Sequence, residues 1–170
     1  MRKFLVFLIS LLFSVGVFAQ KCIPQEPPLN EYGQINGIEI ICDDDLKVLK
    51  NYVNGKEDGT RIIWDENGQK RYEANYADGK KEGKETWWYE NGQKQSEGNY
   101  LNDEQEGQEF LWYKTGQKQA ELNYVSGQRE GKQVWWYKNG QKETELNYIN
   151  GKKEGQEINW DEQGNLINDE

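Results

Sequence analysis

Between residues 52 and 164 the chain keeps one hydrophobic–polar rhythm. Short runs that alternate β-branched or aromatic residues with polar ones are broken by Gly, Asn and Asp. In Lys84–Tyr89 this alternation predicts a strand. Glu90-Asn91-Gly92 predicts a tight turn, Gln93–Tyr100 the returning strand, and Leu101–Gly107 a longer polar turn into the next unit. No stretch after the first 19 residues sustains a 3.6-residue apolar period, so almost no helix is expected. The rhythm recurs: Tyr52, Tyr76, Tyr100, Tyr124 and Tyr148 stand 24 residues apart, as do Trp64, Trp88, Trp112, Trp136 and Trp160. Glycines (Gly59 onward and Gly68 onward) and the series Glu73, Glu97, Glu121, Glu145 keep the same step. The expected fold is all-β: an elongated antiparallel meander of tandem 24-residue β-hairpins in one open sheet.

Turn length decides which side chains share a face. A two-residue Asn-Gly loop would pair Glu90 with Gln93 and put Trp88 with Gln95, Glu97 and Asn99. A three-residue loop with Gly92 left-handed pairs Tyr89 with Gln93. Trp88 then joins Thr86, Lys94, Ser96, Gly98 and Tyr100, with Lys94 lying over its ring. The second arrangement is preferred because it unites the repeated Trp and Tyr. The opposite face then carries aromatics only in the central copies: Trp87 and Tyr89, Leu111 and Tyr113, Trp135 and Tyr137. At the ends these positions turn polar, to Asp65 on one side and Asn159 and Asp161 on the other. The candidate ligand- or partner-binding residues are therefore Trp87, Tyr89, Tyr113, Trp135 and Tyr137.

The head departs from the rhythm. Pro24, Pro27 and Pro28 oppose regular pairing. Ile38–Ile41 is in phase with a repeat strand, with Ile40 at the Trp position, Asp43-Asp44-Asp45 as its turn and Leu46–Tyr52 as its return. The expected organisation is a signal peptide over 1–19, a Pro-rich head and degenerate capping hairpin over 20–51, and five hairpin repeats over 52–170. Arg2 and Lys3, the apolar run Phe4–Phe18 and the small residue Ala19 form the leader pattern. The chain is thus expected in the periplasm, at the cell envelope or outside the cell. In that setting Cys22 and Cys42 are expected to form one disulfide.

Cleavage after Ala19 removes two basic residues and no acidic one, taking the formal charge from −9 to −11. Lys and Glu are interleaved, without a basic stripe. Nucleic acid is therefore excluded as a partner, and an anionic membrane surface is disfavoured. Histidine is absent, which removes the commonest general base and metal ligand. Glu73, Glu97, Glu121 and Glu145 are equivalent along an open sheet, whereas paired-carboxylate catalysis needs two carboxyls held apart in pKa. Asp43-Asp44-Asp45 lacks calcium-loop spacing, and Gly79–Lys84 lacks that of a phosphate loop. The chain is read as non-catalytic, with no metal or cofactor.

The run from Tyr76 to Lys94, with its Tyr-x-x-Gly-Lys-x-x-Gly and Asn-Gly-Gln-Lys signatures, resembles the variant MORN repeat, of the kind grouped with YwqK-type antitoxin-repeat proteins. The resemblance extends over residues 52–167. It implies a sheet of consecutive hairpins used for protein–protein contact or membrane association, and no catalytic residues. Two functions follow as expectations. One is a protein-interaction scaffold at the envelope or outside the cell. The other is a carbohydrate-binding module stacking an envelope glycan on the aromatic patch. An oligomer is compatible with either.

Overall fold

A computed structural model describes residues 22–43 and 45–167. The expected leader lies outside these residues. The described chain contains no helix and forms one sheet. Its strands are β1 (Gly37–Cys42), β2 (Leu46–Val53), β3 (Lys56–Glu57), β4 (Gly59–Asp65), β5 (Lys70–Ala77), β6 (Lys80–Trp88), β7 (Lys94–Leu101) and β8 (Glu104–Gln105). There follow β9 (Gly107–Trp112), β10 (Lys118–Val125), β11 (Gln128–Arg129), β12 (Gly131–Trp136), β13 (Lys142–Ile149), β14 (Lys152–Trp160) and β15 (Leu166–Ile167). The long strands lie side by side in chain order, each antiparallel to the next, with no crossover. The two-residue strands β3, β8 and β11 open three of the units after a turn, and the unbroken β6 and β14 open the other two.

Both kinds of turn are short. At the Trp end, Tyr89 N–H donates to Gln93 O and Gly92 N–H to Tyr89 O, each at 2.9 Å, with Gly92 at φ +79°. This is the preferred three-residue loop. At the Tyr end, the expected long polar turn is instead a two-residue hairpin loop. Leu101 pairs with Glu104, leaving Asn102 and Asp103 at φ +53° and +74°. Positive φ at both central residues is the type I′ geometry that suits strand twist. Asn54-Gly55, Asp78-Gly79, Ser126-Gly127 and Asn150-Gly151 occupy the same place with the same signs.

The faces differ from the sequence-based expectation. Trp88 pairs with Lys94, but Trp87 pairs with Ser96, so Gln95 is an extra residue without a counterpart. Arg71, Gln119 and Glu143 are the same insertion in neighbouring copies. Each is a β-bulge, and it flips everything after it. Ser96, Gly98 and Tyr100 therefore join Trp87, while Glu97 and Asn99 join Trp88. The repeated Trp and the repeated Tyr lie on opposite faces.

One cross-strand row on the Tyr face runs Ile41, Val48, Ile63, Tyr72, Trp87, Ser96, Leu111, Ala120, Trp135, Thr144. The best-buried side chains lie mainly on this face: Tyr72, Ala74, Tyr76, Ala120, Leu122, Gln133 and Leu146. The repeated tryptophans are half-buried.

The head mimics a preceding repeat. Gly55 N–H donates to Ile35 O at 2.7 Å, just as Gly79 N–H donates to Glu57 O at 2.8 Å. Gln25 and Ile40 exchange two backbone hydrogen bonds of 2.9 Å, covering the outer edge of β1. The disulfide Cys22–Cys42 closes this cap, with Cα atoms 5.9 Å apart. Ile40 pairs with Leu49, in the row of Ile62 rather than of Trp64. Without a bulge in this hairpin, it is Cys42 that aligns with Lys47 and Trp64.

Candidate binding faces

The Trp face is an interlocked ladder. Each repeat's lysine reaches the next repeat's tryptophan: Lys70 over Trp88 (5.4 Å), Lys94 over Trp112 (5.7 Å), Lys118 over Trp136 (5.3 Å) and Lys142 over Trp160 (5.3 Å). Lys94 was expected over Trp88 of its own unit; it serves the neighbour instead. The same lysines pair with the glutamates three residues on, for example Lys118–Glu121 at 3.0 Å and Lys142–Glu145 at 2.7 Å. This face is stitched by its own charges, and its repeated carboxylates are engaged in structure.

Glu97 and Glu145 each hold two lysines, Lys84 with Lys94 and Lys132 with Lys142. Partial burial would raise the Glu97 pKa, but the lysine hydrogen bonds outweigh it and hold the carboxyl below its ordinary range. At Glu145 the hydrogen bonds from Lys132 and Lys142 are the main cause of the same depression. A carboxylate with a lower pKa folded than unfolded stabilises fully above its unfolded pKa, about 4.3. That contribution is lost as pH falls through the folded value. The melting temperature is therefore expected to hold from pH 7 to 5 and to fall below about pH 4.5. A Glu97→Gln/Glu145→Gln variant should show a smaller acid drop; equal drops would remove the ladder as the cause.

On the Tyr face, the five candidate residues fall into two kinds. Trp87 and Trp135 stand in the same cross-strand row, separated by Ser96, Leu111 and Ala120. Trp87 is 41% exposed. It leans on Tyr72, with ring centroids 4.4 Å apart and planes at 56°. Trp135 is half-buried beneath Arg129, 5.7 Å from its ring. Tyr89, Tyr113 and Tyr137 are half-buried pins. Their hydroxyls donate to the backbone carbonyls of Trp112, Trp136 and Trp160, each at 2.8 Å. The end-copy residues Asp65 and Asp161 instead cap their own turns, accepting from the N–H groups at positions 67 and 69, and 163 and 165. Behind the row, Tyr72 is buried and bonded to Tyr76 and Glu85. Burial first, then those partners, keep its hydroxyl protonated far above the ordinary tyrosine range.

Two features escaped the sequence reading. A groove of about 730 Å³ runs over the first hairpins, with Ile63, Tyr72 and Trp87 as floor and Asp65, Arg71 and Glu90 at its rim. The second is an aliphatic margin. Val53, Leu101, Val125 and Ile149 follow the repeated Tyr at one register and are 47%, 50%, 51% and 47% exposed. By strand alternation they face the Trp side. The turns beside them are stacked by hydrogen bonds such as Asp103 N–H to Lys81 O (3.0 Å) and Gly127 N–H to Gln105 O (2.9 Å). The signal was present as a further 24-residue phase, Val53, Ala77, Leu101, Val125, Ile149.

The profile of the MORN repeat variant matches residues 57–78, 81–102, 105–126 and 129–150, just over half of the chain. The chain belongs to the MORN repeat variant family. Each MORN match starts just after one I′ turn and ends on the first residue of the next, so the unit is one Trp-tipped hairpin. No curated protein matches the chain. Among solved structures, the GtfA/B complex bound to UDP and GlcNAc is 18% identical over 85% of this chain and 26% of that chain, with a TM-score of 0.26. Accessory secretory protein 1,2 and 3 of Streptococcus pneumoniae is 13% identical over 77% of this chain and 21% of that chain, with a TM-score of 0.18. The MORN chain thus spans about a quarter of the first and a fifth of the second. Such distant likenesses carry no functional inference.

Proposed function

We propose that this MORN protein is a non-catalytic, exported scaffold that holds a protein partner along its aliphatic margin. The observation that carries the reading is the similar exposure of Val53, Leu101, Val125 and Ile149, at one register on stacked turns, with the smaller Ala77 at that register between the first two. Isolated surface aliphatics mean little, but a repeated, aligned series marks a contact surface. MORN repeats generally serve as interaction modules, which agrees. The leader pattern and the Cys22–Cys42 disulfide favour an oxidising compartment. They also favour a partner outside the cytoplasm.

The margin's period says something about the partner. Two strands per repeat advance it by about 9.6 Å. Seven residues of α-helix advance about 10.5 Å. A helix with one apolar residue per heptad stays in phase over two or three repeats. The test is a photo-crosslinking side chain placed beside the margin, with and without Leu101→Glu/Val125→Glu. A discrete protein adduct that weakens at least about tenfold in the double variant is expected. An adduct unchanged by these charges would overturn the reading.

A further inference from the structure

We infer that the groove over Tyr72 and Trp87 is a socket for an arginine side chain presented by a protein; this rests on the reading of the chain as a protein scaffold above, not on the aliphatic margin, which lies on the other face. The repeats themselves supply the precedent. Most of their aromatic rings carry a cation from this chain: Lys47 on Trp64, Lys70 on Trp88, Arg61 on Tyr76, Lys81 on Tyr100, Arg129 on Trp135. Trp87 breaks the pattern. It occupies the register of Trp135, two repeats earlier, and Lys81 occupies that of Arg129. Lys81, however, lies over Tyr100 and is bonded to Glu85. Among the described residues no cation sits over Trp87, and this ring is the exposed one.

The groove's charge is complementary to a cation. Its one basic lining residue, Arg71, is neutralised by Asp65 at 3.4 Å. Asp45, Glu66 and Glu90 line the same groove and have no ion-pair partner among the described residues. An aromatic floor with uncompensated carboxylates around it attracts a cation through both ring quadrupole and Coulomb field. Guanidinium suits it better than ammonium. It is planar, stacks on an indole face, sheds water readily and offers forked donors to carboxylates. Gln95, the bulge residue at the groove wall, adds an amide that can accept a further N–H.

The test is two-dimensional NMR of the full disulfide-bonded protein, following indole N–H signals. The probe is Nα-acetyl-arginine methylamide, with its neutral citrulline counterpart and an N-acetylglucosamine trisaccharide as comparators. The Trp87 signal should move saturably with the arginine probe and not with citrulline. Backbone amide signals of Tyr72 and Gln95 should move with it; Trp87→Leu, which places here the residue the next repeat has at Leu111, should fold and lose that arginine-dependent movement of the backbone amides. Glu66→Gln/Glu90→Gln should weaken binding at least about threefold. Equal responses to citrulline, or movement spread evenly over all tryptophans, would overturn the socket. So would movement with the trisaccharide alone, which would make the groove a sugar platform. Because Leu101 and Val125 lie elsewhere on the sheet, failure here leaves their adduct intact, and failure there is read without this probe.

Discussion

Replacing Gln133 by Leu is expected to cost about 3 kcal/mol or more, which is large for a side chain of nearly the same size. Gln133 is the one large side chain with no exposed surface among the described residues. Its amide substitutes for missing ladder bonds. β10 pairs with β12 only at Ala120 and Glu121, and with β11 only at Tyr124 and Val125. The chain between, from Glu130 to Gln133, bulges away, with Gly131 at φ +67°. Gln133 fills the gap: its Oε1 accepts from Asn123 N–H at 3.1 Å, and its Nε2 donates to Asn123 O and Glu130 O at 3.1 Å and Gly131 O at 3.3 Å. Leucine would fill the volume and remove these bonds; Asn123 O keeps the N–H of Glu130 at 2.9 Å, and each other backbone group left dry costs about 1–3 kcal/mol. Gln133→Glu keeps the acceptor but turns a buried carboxylate oxygen toward three carbonyl oxygens, so at pH 7 it should cost at least as much as Leu. Denaturant unfolding of the three proteins checks this. A loss under about 1 kcal/mol for Leu would mean that water replaces the amide.

Position 133 also shows where the sequence ceased to be readable. Its counterparts are Arg61, Glu85, Glu109 and Glu157, so the register reads as a variable polar site. Nothing in composition marks one member as a plug. The repeat, the single meander and the Gly92 turn were legible, because each rests on a local rule repeated along the chain. The face assignment was not, because one bulge per hairpin inverts it. Yet a clue stood in the spacing. Lys70–Glu73, Lys94–Glu97, Lys118–Glu121 and Lys142–Glu145 are all three apart and all ion-paired. In an unbroken strand, residues three apart point to opposite faces. A repeated Lys-x-x-Glu in a β protein therefore implies an inserted residue between the two. The candidate site was half legible. Its aromatics are where alternation put them, but the tyrosine hydroxyls find their partners 23 residues on, a contact that depends on how neighbouring hairpins sit.

Removing the disulfide with Cys22→Ala/Cys42→Ala should produce the second large effect, confined to one end. The bridge spans 20 residues, and closing a loop of that size stabilises by about 3 kcal/mol. Little else holds the head to β1. Pro24, Pro27 and Pro28 have no N–H to donate, and outside the named strands the direct backbone link to β1 is the pair of bonds between Gln25 and Ile40. In a linear array each repeat touches only its neighbours, so a loss at one end does not spread evenly. Amide exchange in the head and β1 should therefore quicken by roughly a hundredfold or more, following about 3 kcal/mol. Exchange in β10–β13 should stay as it was. The variant should also associate more readily, because the uncovered β1 edge carries the exposed Ile38 and Ile41. Uniform acceleration across all strands would contradict this, and would mean that the sheet unfolds as one cooperative unit for which the head cap is a global clasp.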